Sequence, residues 1–593
     1  MSASSDVGYH AQRQARWHYG EVAFWLVVLA CGFAFPTRYL IMTDILRLAL
    51  FAMSLDLILG YAGIVSLGHA AFFGVGAYAA GLLALHGIIN EPVLALIVAG
   101  LAAMVLGFAT SFLVIRGVDL TRLMVTLGIA LLLEALAERF SNITGGTDGL
   151  QGIEMQPIFG EIAFDMFGKT GFFYSLAVLF LLFLFARRVV HSPFGLSLRA
   201  IKNNPLRAAA IGIPVNRRLI AILHPRGVLC RHCGRAVHPD HGDRLPRRIR
   251  LRAFGRFDAG ARDRRDRLSL WRTGRRGDLP HAPGSVLHHH PAILAVLDRP
   301  RAGRDRAGRP PAPASLGAVR AEPGHQAGCR TQGGRCRAGE RRMTIALETQ
   351  NLEKQFGGLR VTRDLSLKIE QGARHALIGP NGAGKTTVIN QLTGVLKPNS
   401  GRILLEGQDI TDLPVHKRVL RGMSRTFQIN QLYPDLTPLE TIGLAVSERL
   451  GHGGDWWRRM GTRSDVNGEI ADLLRRFHLL DVMNEETVTL PYGKQRLLEI
   501  AVAIAAKPRV LLLDEPAAGV PESERHDILA VVGSLPRDVT VLLIEHDMDL
   551  VFSFADRISV LVSGALLTEG PPDVVARDPQ VKAVYLGEEA VNV

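Results

Sequence analysis

The sequence predicts a chain of two folded parts. The first is an N-terminal α-helical transmembrane bundle of about six helices. The second is a C-terminal α/β domain built around a phosphate-binding loop and carrying a helical subdomain, and an irregular or disordered middle segment joins the two. Three observations predict this. Apolar blocks of bilayer-crossing length recur between residues 21 and 187. A GxxxxGK[ST] pattern lies at residues 379–387, with an apolar strand before it and a helical segment after it. Between residues 223 and 342 hydrophobic periodicity vanishes, and Arg, Gly, Pro, Ala and His dominate.

At 593 residues the chain is too long for one domain. Its net charge of +14 suggests a nucleic-acid binder until it is located. Residues 221–342 hold about 27 Arg and no Lys against about 10 acidic residues, which leaves the remainder slightly acidic and argues against a nucleic-acid partner. Four of the five cysteines also fall there, and Cys31 sits alone in an apolar stretch, so no disulfide scaffold is indicated.

Residues 1–20 read as a polar cytoplasmic N-terminus, followed by apolar blocks near residues 22–36, 40–60, 64–86, 92–115, 120–138 and 170–186. Basic residues set their orientation. Arg13 and Arg16 precede the first block, Arg116 follows the fourth, and Arg187, Arg188, Arg199, Lys202 and Arg207 follow the sixth. An even number of crossings puts all three clusters on the cytoplasmic side. Residues 60–78 are crowded with glycine, which lets helices approach closely or break at membrane depth. Asp56, His69 and Glu134 are ionisable groups expected at that depth, either lining a pathway or pairing within the bundle. Residues 192–214 form a basic amphipathic stretch, with Leu198 and Ile201 at helical spacing, suited to a cytoplasmic helix docking on a soluble partner.

The glycine-rich block, the outer loop at residues 142–152 and the cytoplasmic stretch at 192–214 resemble the LivM-type permease of the branched-chain amino acid ABC importer family. The resemblance covers residues 40–222 and stops where such a permease continues with more helices. Of residues 223–342 there are three readings. They are a disordered linker; a zinc cluster formed by Cys230, His232, Cys233, His238 and His241; or permease sequence translated out of frame. The last fits best. Written in GC-rich codons and shifted by one base, residues 223–239 become an apolar membrane helix, residues 289–300 an aromatic-rich segment, and both resemble the late helices of such a permease; the shifted frame would read on into Met343. Sequencing the underlying DNA decides it.

In the C-terminal domain, residues 343–593, the loop comprises Gly379, Pro380, Asn381, Gly382, Ala383, Gly384, Lys385, Thr386 and Thr387. Its glycines let successive N–H groups face phosphate oxygens. Lys385 reaches the β and γ phosphates of ATP, and Thr386 offers its hydroxyl to Mg²⁺ at the electropositive helix start. Residues 510–516 read as a buried strand ending in two carboxylates, Asp514 to hold Mg²⁺ and Glu515 to polarise the attacking water as general base. Phe356 either stacks on adenine or fills a core.

Other motifs resemble those of ABC ATPases. Residues 425–428 look like the Q-loop, which implies that Gln428 reaches Mg²⁺ and the γ-phosphate. Residues 490–496 align with the signature, which implies that Tyr492, Gly493, Lys494 and Gln495 meet nucleotide bound on a second subunit. Pro491 replaces the usual serine, and residues 518–521 lack the aspartate expected in the D-loop. His546 matches the switch histidine at the γ-phosphate. Residues 379–382, 492–495, 514–519 and 581–589 resemble LivG-type ATPases of the same importer family. That resemblance implies ATP-driven import of branched-chain amino acids or related amino acids and amides. It also implies a second permease subunit, a second ATPase subunit and an external solute-binding protein, at the cytoplasmic (inner) membrane. Two rivals stand beside it: an ATPase that transports nothing because its permease half is truncated, and an exporter.

Overall fold

In the computed structural model of the protein, residues 3–13, 15–117, 119–153, 156–223, 344–427 and 431–586 are described. The expectations for residues 224–342, the cysteine and histidine cluster among them, and for Gln428 lie outside these residues.

The six apolar blocks become helices. Pro92–Ile115, Leu120–Arg139 and Lys169–Val190 are long and apolar enough to cross a membrane. Tyr19–Ala34 and His69–Leu85 are apolar but shorter. The sixth, Tyr39–Asp56, carries Asp44, Arg47 and Asp56 and runs on into a π-helical turn, Leu57–Tyr61. The expectation of six crossings thus corresponds to six apolar helices, of which three meet the length and composition of a full span. The glycine-rich block breaks as expected: a non-helical stretch separates Tyr61 from the helix that starts at His69.

Membrane-depth ionisable groups separate into different roles. His69 is buried and hydrogen-bonded through Nε2 to Ser54 Oγ at 2.6 Å, with the Phe51 ring against it. That is the structural pairing. Glu134 is exposed on a helix, Leu120–Arg139, in which Thr126 alone is buried. Asp56 is not at mid-membrane. It lines a cavity of about 470 Å³ with Tyr61, His191, Arg199 and Glu440, where the bundle meets the α/β domain.

The C-terminal part begins with an antiparallel sheet in which β1 (Ile345–Phe356) pairs with β2 (Leu359–Leu365), β3 (Lys368–Glu370) and β5 (Ser400–Leu405), and β5 with β6 (Gln408–Asp409). The second sheet has the order β11-β10-β4-β9-β8-β7, formed by β4 (Arg374–Ile378), β7 (Met423–Arg425), β8 (Val510–Asp514), β9 (Thr540–Ile544), β10 (Arg557–Val562) and β11 (Ala565–Gly570). Only the β10–β11 pair is antiparallel. β4, β8 and β9 are buried at every residue, as parallel strands covered on both faces are, and apart from Arg374 and His375 of β4, Asp514 of β8 and Thr540 of β9 they are apolar throughout. Their C-terminal ends therefore carry loops to one crevice, where an open α/β sheet builds its site.

The helix Pro193–Asn203 joins the two parts. Ser192 caps it by accepting from Gly195 N–H at 3.2 Å, and residues 193–198, 200 and 201 are all buried. Leu198 and Ile201, expected on one face, share a continuous core with Tyr433, Leu436, Ile442 and Leu474. Two ion pairs fix the seam from both ends: Arg199 with Glu440 at 3.1 Å and Arg218 with Glu448 at 2.9 Å.

Candidate functional site: the phosphate-binding loop and its carboxylates

The loop at residues 379–387 leaves β4 and enters the helix Lys385–Thr393. Gly384 sits at φ +100°, and a Cβ there would lie 2.8 Å from the Val361 carbonyl oxygen, so both backbone angle and space call for glycine. No side chain caps the helix, which leaves the amides of its first turn directed toward the crevice for an anion. Lys385 folds back on the loop, donating to the carbonyls of Gly379 at 2.5 Å and Pro380 at 3.1 Å. Partial burial holds its ammonium below the ordinary lysine value, while Glu515 and Asp514 pull it back up. Thr386, Asn381 and Gly382 are exposed at the mouth.

Asp514 closes β8 and is only 2% exposed. Burial pushes its carboxyl up from the usual range, and Arg425, 3.1 Å away, opposes that shift. Arg425 in turn donates to Asn390 Oδ1 at 2.5 Å. Glu515 follows in the left-handed region at φ +47°, a costly conformation for a non-glycine residue, held by its N–H donating to Ile544 O at 2.9 Å. His546 leaves β9 on the same side, its Nδ1 4.0 Å from Glu515 and 3.6 Å from the buried carboxylate of Glu545. Lys385, Asp514, Glu515 and His546 thus converge from three strand ends.

Phe356 is about half exposed at the end of β1, with Lys354 over its ring, which removes the core alternative. The signature residues lie elsewhere. Tyr492 donates to Ala518 O at 3.3 Å, Gly493 is buried in the first turn, Lys494 is tied to Asp481 at 3.2 Å, and Gln495 donates to Leu490 O at 2.9 Å. Tyr492, Lys494 and Gln495 thus bond to Ala518, Asp481 and Leu490, close to their own segment.

Sequence reading missed a buried charge network behind this site. Arg496, 1% exposed, donates to Phe427 O at 2.6 Å, Glu499 Oε2 at 2.6 Å and Glu515 O at 3.0 Å. Glu499 Oε1 accepts from Phe427 N–H at 2.7 Å and lies 3.6 Å from Arg207, which comes from the bundle side. The only sequence signal was an arginine next to the signature and a second one three residues after Asn204. Charge at a buried seam has no periodicity to betray it.

A curated ATP-binding protein of high-affinity branched-chain amino acid transport, BraF of Pseudomonas aeruginosa, is 41% identical over 249 residues, 98% of its own length and 41% of this chain. This chain belongs to the branched-chain amino acid ABC transporter family. LivG of Escherichia coli, of the same description, is 38% identical over 251 residues, again 98% of its length and 41% of this chain. The ABC transporter family description matches residues 362–518, and the C-terminal description of branched-chain amino acid ATP-binding cassettes matches 565–591. The permease component of branched-chain amino acid transport systems matches residues 38–229. A solved ATP-binding cassette of an ABC transporter in its ADP conformation is 31% identical, with a TM-score of 0.37, covering 41% of this chain and 99% of that one. By its relatives and family matches the chain is a transporter ATPase with a nucleotide-binding cassette and a permease segment.

Proposed function

We propose that this chain drives import of branched-chain amino acids, or related amino acids and amides, by ATP hydrolysis at the inner membrane. The observation that carries the proposal is the convergence of Lys385, Asp514, Glu515 and His546 in a cassette whose buried Arg207–Glu499 contact reaches into the permease segment. ATP lies on the amides of residues 382–387, with Lys385 at its β and γ phosphates and Phe356 against adenine. The buried carboxylate of Asp514 and the exposed hydroxyl of Thr386 are hard oxygen donors that fit Mg²⁺, joined by Gln428. That ion, when bound, neutralises charge on the transferred phosphoryl group. Glu515 takes the proton of the attacking water as general base, and His546 binds the γ-phosphate. Tyr492, Gly493, Lys494 and Gln495 complete the site of a second ATPase subunit, with Gly493 giving close backbone approach.

Closure of the paired cassettes passes to the bundle through residues 192–214. The helix Leu120–Arg139, exposed along one side, supplies a face for a second permease subunit, and an external solute-binding protein delivers substrate. A second reading is favoured by the end of the permease match at residue 229: an ATPase that hydrolyses without transporting. Uptake of radiolabelled leucine into proteoliposomes containing this chain, its partner subunits and the binding protein tests both. ATP-dependent accumulation supports import. Hydrolysis without accumulation establishes the second reading, and an absolute need for the binding protein excludes an exporter.

A further inference from the structure

The cassette carries a loop that the nucleotide chemistry does not use, Asp455-Trp456-Trp457-Arg458-Arg459, between the helices Pro438–Arg449 and Ser464–Arg476. Trp456 and Trp457 are 48% and 56% exposed, an unusual state for two adjacent large aromatics. Their setting explains it. The Trp456 ring packs 5.8 Å from Phe185, and Arg188 stacks over Trp457 at 5.4 Å while donating to its carbonyl. Asp455 pins the loop by accepting from Trp457 and Arg458 N–H at 3.0 Å each, and Phe194 N–H donates to Asp455 O at 3.2 Å.

Phe185 and Arg188 lie in the last two turns of Lys169–Val190, a 22-residue apolar helix about 33 Å long, slightly more than a bilayer's hydrocarbon thickness. Its end therefore stands at headgroup level, and the loop stands beside it. The same level carries Trp17, packed on Phe183, and exposed Tyr19 and Arg16. Burial and the nearby charges of Arg188 and Arg187 hold the Arg459 guanidinium below its ordinary value, a sign of crowded positive charge. Tryptophan beside arginine at the end of a spanning helix is the composition of a membrane interface, and positive charge selects anionic headgroups.

We propose that residues 455–459 insert at the headgroup level of the membrane and bind anionic lipid, so that the cassette is seated on the bilayer as well as on the permease. The proposal rests on reading Lys169–Val190 as a spanning helix. The test uses the full chain in nanodiscs of phosphatidylcholine with and without phosphatidylglycerol, whose acyl chains are brominated near the headgroup. Emission of the wild type minus that of W456F/W457F isolates the loop. Bromine should quench this difference emission by about half or more, as for interfacial tryptophan, and more strongly with phosphatidylglycerol. R458Q/R459Q should remove the added effect of the anionic lipid. Residual emission of W456F/W457F, which includes Trp25 within Tyr19–Ala34, reports insertion independently. Residual quenching without loop quenching overturns the proposal and leaves the membrane reading standing, whereas no quenching of either overturns both. Loop tryptophans shielded from aqueous iodide yet unquenched by bromine assign the loop to a second copy of the chain, which also overturns it.

Discussion

Arg496 donates from Nη2 to the carbonyl oxygen of Glu515 across 3.0 Å, and from Nη1 to Glu499 across 2.6 Å. Arg496, next to Gln495, thus holds the backbone of Glu515, the residue proposed as general base. Glu499 extends the same chain of contacts to Arg207 on the permease side. Every charge in it is buried, so none is screened by water.

Substituting Glu499→Gln leaves two buried guanidinium groups without a counter-charge. Loss of one partner of a buried ion pair costs roughly 3–5 kcal/mol, and a lower melting temperature of the detergent-solubilised chain is expected. A double-mutant cycle with Arg207→Met should show a coupling energy between the two positions; additive effects would mean that the 3.6 Å contact carries no energy.

Glu515→Gln should keep nucleotide affinity and lose hydrolysis by about 100-fold or more, because the amide retains the shape but cannot take a proton. Lys385→Ala should do the reverse and lose affinity. Equilibrium binding of a fluorescent ATP analogue and phosphate release separate the two. Comparable hydrolysis in Glu515→Gln would remove this residue from the role of base.

Pro491 occupies the N-cap position of Tyr492–Ala505 and makes no side-chain cap. Pro491→Ser should add about 0.5–2 kcal/mol of stability by capping. It also supplies a hydroxyl and an N–H at the position proposed to meet nucleotide on a second subunit, so on that proposal the ATPase rate should rise several-fold at saturating ATP. A melting curve and steady-state kinetics check the two effects separately.

His375 in β4 is 1% exposed, and its Nε2 lies 2.8 Å from Ser559 Oγ. Burial lowers its pKa from 6.5 to about 4, with Glu569 opposing. An unfolded chain therefore takes up a proton in this interval that the folded chain excludes. Stability at this site is full above pH 6.5 and falls as pH drops toward 4, by about 3 kcal/mol in all. His375→Gln should flatten that part of the stability profile measured by thermal melting between these values.

The phosphate loop, the β8 carboxylates, His546 and the seam helix with Leu198 and Ile201 were legible because each has a local signature. Glycine spacing, continuous apolar strands and helical periodicity are properties of neighbouring residues. Six apolar helices were legible for the same reason. Where each helix ends was not, as the π-helical turn Leu57–Tyr61 and the non-helical stretch before His69 show.

The sequence by itself determined that this chain binds ATP and belongs beside a membrane, since both follow from short-range patterns that chemistry reads directly. Only the tertiary structure decided that Asp56 faces the cassette, that His69 pairs with Ser54, that Trp456 lies on Phe185, and that Arg207 reaches Glu499. The last pair joins residues 292 positions apart. Contacts between residues so distant in sequence leave no mark on local composition. Once folding buries Arg207 and Glu499 together, leaving either charge unpaired is too costly.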